Sequence, residues 1–401
     1  MPPSTPAQSS PVDVLPTGTA LESFVITGLI GQGGFGIVYL ARDTQSRRTV
    51  AIKEFLPTAI AARRGGSQVL PINADMANAY ASGLKGFLRE ANLLSEFAHP
   101  ALVAVHRAWE QHGTAYMAMQ YYPGKTLREV RLRDRTRPAE AQIQAWMSPV
   151  FDAVAELHAH RVIHRDVSPD NILVMPAGET VLLDLGAARQ VLGGMTQALT
   201  TILKPGFAPI EQYVEDGSME QGRWTDVYGL AAVMYFLVTG KPPTPATSRI
   251  VRDSLPPLSA LAPIDMYSPA FFAAVMKALS LRAIDRFKSI AEFRTALGWV
   301  PQPRAAPVPT ERTTTSEPLN EAQLAAMKAL PIRGQAAKSD ARAATVERKP
   351  QAASAPARDS AAAMRASKGA TYEAPSRGGT QLLVALAIAI VVAVALVFAL
   401  R

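Results

Sequence analysis

The chain has 401 residues, a formal net charge of +8 and no cysteine, which excludes disulfides and thiolate metal sites. Its six histidines show no ligand spacing and its excess of Lys and Arg is scattered, so neither a zinc centre nor specific nucleic-acid recognition is indicated. The length exceeds one average domain, and 48 % apolar residues suffice for a sizeable core.

Composition divides the chain into four stretches. Residues 1–20, rich in Pro and Ser, read as an unstructured N-terminus, and residues 21–300 mix apolar and charged positions as a globular domain does. Residues 301–381 are rich in Ala, Pro, Arg, Thr and Ser, too poor in apolar side chains to offset the entropy of ordering, and read as a disordered linker with a short helix near Glu321–Leu330. Leu382 to Leu400 carries no charge, polar side chain, Gly or Pro. As a helix that run is about 28 Å long at roughly 1.5 Å per residue, close to the hydrocarbon thickness of a bilayer, and a transmembrane helix is expected.

Within 21–300, strand-like Phe24–Ile26 and Ile37–Leu40 flank a turn containing Gly31, Gly33, Gly34 and Gly36. Lacking side chains, these glycines let backbone N–H groups approach phosphates; alone, the run is equally compatible with an ordinary surface turn. A third strand, Thr49–Glu54, carries Lys53, whose ammonium could meet the same phosphates. An insertion is expected within Leu56–Ser82, and then Phe87, Leu88, Ala91 and Leu94 recur at helical spacing around Glu90. Ala115–Met119 reads as a buried strand leading into Gln120–Gly124, and Ile143–His160 as an amphipathic helix that delivers the chain to His164. There the sequence runs His164-Arg165-Asp166-Val167-Ser168-Pro169-Asp170-Asn171, followed by Asp184-Leu185-Gly186. Phosphoryl transfer needs a base near an acceptor hydroxyl and ligands for a phosphate-bound metal; Asp166 suits the first, Asn171 and Asp184 the second.

These segments fit H-R-D-x-x-x-x-N, D-x-G, G-x-G-x-x-G-x-V and V-A-I-K in their family order, and the chain resembles the eukaryotic-type (Hanks-type) serine/threonine protein kinases, including bacterial membrane-anchored members. The resemblance implies an α+β bilobal fold, with a small, mostly β N-lobe over 21–122 and a larger, mostly α C-lobe over 123–300. It implies ATP with Mg2+, or Mn2+ in its place. Glu90 would pair with Lys53; Val38, Ala51 and Leu173 would sandwich the adenine, with Met119 behind it and Tyr121 in the hinge. Glu211 would pair with Arg286, and Asp226 would brace the catalytic loop. Protein substrates and a dimer for trans-autophosphorylation are further implications. The absence of a cationic start and apolar run in Met1–Ser10 places the catalytic region on the cytoplasmic side of a single-pass membrane protein.

The chain departs from the family pattern at Ser168, where a lysine is usual, and at Lys204, where a threonine is usual. The two residue types are exchanged. Lys204 is therefore expected to reach toward Asp166 with Ser168 receiving it, the alternative being a solvated Lys204. Arg165 suggests control by phosphorylation, with Thr196, Thr200 and Thr201 as acceptors. Two other functions stay open: a nucleotide-binding pseudokinase scaffold, favoured by Ser168, and a small-molecule kinase.

Overall fold

The computed structural model describes residues 13–299 except 135, 187–202 and 215–217. The expected linker, membrane helix and residues 1–12 of the N-terminus lie outside the described residues, as do Thr196, Thr200 and Thr201.

The first lobe is an antiparallel sheet of six strands, ordered β1-β2-β3-β4-β8-β7. The strands are β1 (Ala20–Leu21), β2 (Phe24–Gly33), β3 (Gly36–Asp43), β4 (Thr49–Phe55), β7 (Val105–Gln111) and β8 (Thr114–Gln120). β8 is buried along all but its last residue because helix α1 (Ala77–Ser95) and a separate hairpin, β5 (Ala61–Arg64) with β6 (Gln68–Pro71), both pack on it. α1 presents Tyr80, Phe87, Ala91 and Leu94 inward at helical spacing, and the Tyr80 and Phe87 rings close on Phe55 at 5.6 and 5.7 Å.

The hairpin lies in the expected insertion and is fastened by a buried charge. Glu54, fully buried on β4, accepts from Tyr39 Oη (2.8 Å), Tyr116 Oη (2.9 Å) and Arg63 Nη2 (2.5 Å). Burial, then the Glu54 charge, pushes both phenols well above their ordinary range. Arg63 also donates to Asp13 O and Ser67 O at 2.8 and 2.7 Å. Residues 13–20 thus depart from the unstructured reading. Leu15 is 3 % exposed and its N–H reaches Tyr39 Oη at 3.2 Å, an apolar contact and an anchor that Pro- and Ser-rich composition does not advertise.

The second lobe is mainly helical. It contains α2 (Leu127–Arg133), α3 (Glu140–Ala159), α4 (Arg223–Thr239), α5 (Leu258–Leu261), α6 (Pro269–Ala278) and α7 (Ile290–Ala296), plus the short strands β9 (Lys125–Thr126), β10 (Ile172–Val174) and β11 (Thr180–Leu182). α4 is buried from Thr225 to Val238, apolar on every side, and so forms the centre of the lobe; it ends at Gly240 in the left-handed conformation (φ 74°). Its N-terminal turn supports the site. Asp226 accepts from the backbone N–H of His164 and Arg165, both at 2.8 Å, and is bonded to His158 Nε2 at 2.7 Å. Glu211 meets Arg286 through two contacts of 2.6 and 3.1 Å.

Candidate active site

The site forms where β10 and the loops around it meet the glycine hairpin. Asn171 Nδ2 donates to Asp166 O (2.8 Å) and Oδ2 (2.6 Å), so the carboxylate is held by the residue five positions on. His164, fully buried, is bonded through Nε2 to Leu183 O at 3.0 Å, and Gly186 N donates to His164 O at 2.9 Å. These two bonds tie the segment holding Asp166 to the segment holding Asp184. Arg165 (φ 65°) and Asp184 (φ 40°) both adopt left-handed backbone, which costs side-chain-bearing residues about 1–3 kcal/mol each and marks positions fixed by their surroundings.

Lys204 comes to the same place from a distant segment. Its Nζ lies 2.7 Å from Ser168 Oγ and 3.1 Å from Asp166 Oδ1, with Ser168 wholly buried beneath it. Asp166, Lys204, Arg165, Phe207, Ala208 and Gln212 line one pocket. Gln212 Nε2 holds Arg165 O at 2.7 Å, a contact that nothing in the motif spacing flags. The Arg165 guanidinium is pushed below its ordinary pKa by burial, and its Nε has no hydrogen-bond partner among the described residues.

From the first lobe, Lys53 Nζ pairs with Asp184 Oδ1 at 2.9 Å and stands 5.8 Å from the Phe87 ring. Among the described residues this is the ion pair of Lys53. Among the described residues the Lys53–Glu90 pair implied by the resemblance is not within ion-pair distance; Glu90 is buried on α1, 1 % exposed. Above the carboxylates, a Cβ on Gly36 would fall 2.1 Å from Glu54 O, so close strand packing requires that glycine. A Cβ on Gly33 or Gly34 would meet nothing within 4 Å, leaving open space at the tip of the hairpin.

The apolar candidates converge as well. Ala51 pairs with Met119 across β4 and β8, Val38 pairs with Lys53, and Leu173 sits on β10 opposite Thr126. Ala51 and Met119 belong to the same buried cluster as the second lobe's core, with Val38 and Tyr121 packed against it. This apolar set, with Val38 paired to Lys53 across β3 and β4, suits a purine with phosphates attached. Among the described residues no group of three or more His, Cys, Asp or Glu could hold a metal alone. Mg2+ does not require one, since it is ordinarily held by one or two protein ligands together with phosphates, as Asn171 and Asp184 could provide.

A family model described as protein kinase domain matches residues 24–260. The chain belongs to the protein kinase family. Among solved structures, this kinase is similar to PpkA-294 in its apo form, with 41 % identity and a TM-score of 0.66, covering 71 % of this chain and 99 % of that one. Among curated relatives it is similar to serine/threonine-protein kinase PknB of Mycobacterium leprae (strain TN), 30 % identical over 289 residues, covering 69 % of this chain and 42 % of the relative. The PknB of Mycolicibacterium smegmatis is 29 % identical over 350 residues, covering 82 % and 52 %. The kinase thus spans about half the length of these curated relatives.

Proposed function

We propose that this protein is a serine/threonine protein kinase that transfers the γ-phosphoryl group of ATP to protein hydroxyls. The observation that carries the reading is the meeting of Asp166, Asn171, Ser168 and Lys204 within hydrogen-bond distance, beside the Lys53–Asp184 pair. In this reading Asp166 orients the acceptor hydroxyl and takes its proton, while Asn171 fixes the carboxylate. Lys204 faces the charge that develops on the transferring group, and Lys53 and the amides around Gly31, Gly33, Gly34 and Gly36 position the phosphates. Asn171 and Asp184 would hold Mg2+, which, when bound, neutralises charge on the phosphate oxygens. Val38, Ala51, Met119, Tyr121 and Leu173 would enclose the adenine, and Glu90 would serve Lys53 in a rearranged state of α1.

The same proposal extends to regulation and place. A phosphate on Thr196, Thr200 or Thr201 would find the half-buried Arg165 guanidinium, and a dimer would allow one copy to modify another. The catalytic domain of 21–300, with residues 13–20 packed on it, would be tethered by 301–381 on the cytoplasmic side of a bilayer crossed by 382–400. The apolar run itself supports that anchor.

The test is transfer of label from γ-labelled ATP by the full chain to a mixed protein substrate, with Asp166→Asn as control. Label in the wild type alone is expected. Label that persists in the variant, or nucleotide binding with no transfer by either, would replace the kinase by a contaminant or by the scaffold reading.

A further inference from the structure

Behind Phe207 of the pocket beside Asp166 lies a charged pair that the phosphoryl-transfer chemistry does not use. α2 opens on a capping box, Thr126 with Glu129, which fixes the first turn and with it Arg128, the residue just before Glu129. Arg128 N donates to Pro169 O at 3.1 Å, Nε to Asp170 Oδ1 at 2.7 Å and Nη2 to Asp170 Oδ2 at 2.9 Å. The guanidinium carbon lies 5.6 Å from the Phe207 ring and 5.1 Å from the Phe236 ring, so the group is stacked as well as bridged. It is nevertheless reachable, the side chains of Arg128 and Asp170 being 31 % and 40 % exposed.

Phe207 is the connecting element, since it lines the acceptor pocket on one side and lies under Arg128 on the other. An extended peptide advances about 3.3 Å per residue, so a side chain two or three positions from a hydroxyl held at Asp166 lies about 7–10 Å along from it, and Arg128 is bonded to Pro169 and Asp170, three and four residues after Asp166. What it meets there is lopsided. Each Asp170 oxygen already accepts one bond from the guanidinium, whose charge offsets its own, whereas Arg128 Nη1 makes no hydrogen bond among the described residues and keeps its donors. Lys204 and Arg165 add two cations on the pocket lining, against the single carboxylate of Asp166.

We propose that Arg128, held by Asp170, is a specificity-determining residue that selects acceptor peptides with a Glu or Asp two or three positions from the Ser or Thr. This rests on the kinase reading above. A pair serving only to clamp α2 to the catalytic loop would show no such selection.

The experiment measures kcat/KM of the full-length protein on synthetic peptides with one Ser, flanked at those positions by Ala, Glu or Arg. In the wild type the Glu peptide should exceed the Ala peptide by about tenfold, the worth of one charge-assisted contact. In Arg128→Gln the Glu-to-Ala ratio should fall to near one, whereas Asp170→Asn, which releases the guanidinium, should keep or raise it. A wild-type ratio of one or less, a preference for Arg, or an unchanged ratio in Arg128→Gln overturns the inference. Transfer to the Ala peptide that disappears in Asp166→Asn upholds the kinase reading whatever the ratio, so the two failures are distinguishable; no transfer to any peptide removes both.

Discussion

At the scale of single residues, the exchange at 168 and 204 decides how this kinase handles charge. A lysine on the catalytic loop would move with Asp166, but here the cation arrives from 38 residues downstream and is received by Ser168 Oγ at 2.7 Å. Removing a cation aimed at developing charge typically lowers turnover by about 10²–10³. Lys204→Met should therefore depress the single-turnover rate at saturating ATP by that order. Ser168→Lys alone sets two ammonium groups against each other in a buried place and should also be slow. Combining Ser168→Lys with Lys204→Thr returns one cation to the spot and should recover most of the loss. A nearly normal rate in Lys204→Met would mean that the ammonium only holds the segment in place. The exchange was legible in the sequence because both departures fall at fixed distances from recognisable motifs. The partner of Lys53 was not, since choosing between Asp184 and Glu90 depends on which carboxylate the fold brings within reach.

At the scale of elements, strand cores were legible and their ends were not. β2 runs on to Gly33 and α1 begins at Ala77, well before the apolar repeat at Phe87–Leu94, because its Ala-rich first turns carry no stripe and are held by Tyr80 against Phe55. The β5–β6 hairpin was invisible for a similar reason, its strands being four residues each, with Gly65 and Gly66 turning at φ 59° and 92°. Its Arg63 reaches the buried Glu54 through packing that no local pattern encodes. Removing one partner of such a pair strands a charge, at about 3–5 kcal/mol. Arg63→Met should lower the free energy of unfolding by that amount in urea titration. Glu54→Gln combined with Arg63→Met should cost less than the single change, and additive costs would argue that the two residues are not energetically coupled.

At the scale of the whole molecule, acid acts on buried titratable groups of the folded domain and the bilayer on the apolar run at the far end of the chain. Desolvation pushes the buried His164 below its ordinary value of 6.5, outweighing the attraction of Asp226 and Asp166. The unfolded chain then takes up protons near 6.5 that the fold refuses, so stability falls as pH drops through that window. Asp226 acts lower down. Burial raises its carboxyl, but hydrogen bonds and charge from His158 and His164 bring it below 3.8, so its contribution is complete above that value and lost beneath it. The urea midpoint should thus fall between pH 7.5 and 5.5, and by less in His164→Phe; equal falls would remove His164 as the cause.

The described residues contain no helix long and apolar enough to cross a membrane, so the proposed attachment rests on the composition of Leu382–Leu400 alone. In the proposed tether a coil of the length of 301–381 has a root-mean-square span of about 50 Å, and the catalytic domain would then meet bilayer-bound substrates at an effective concentration of order millimolar. The full chain in lipid vesicles should therefore phosphorylate a vesicle-tethered peptide faster than the same peptide free in solution. Deleting 382–401 should abolish that advantage and leave the rate on free peptide unaltered, since the deletion touches none of the residues around Asp166. A full chain that partitions into the aqueous phase of a detergent separation, or that gains nothing from tethering, would confine this kinase's membrane attachment to a reading of composition.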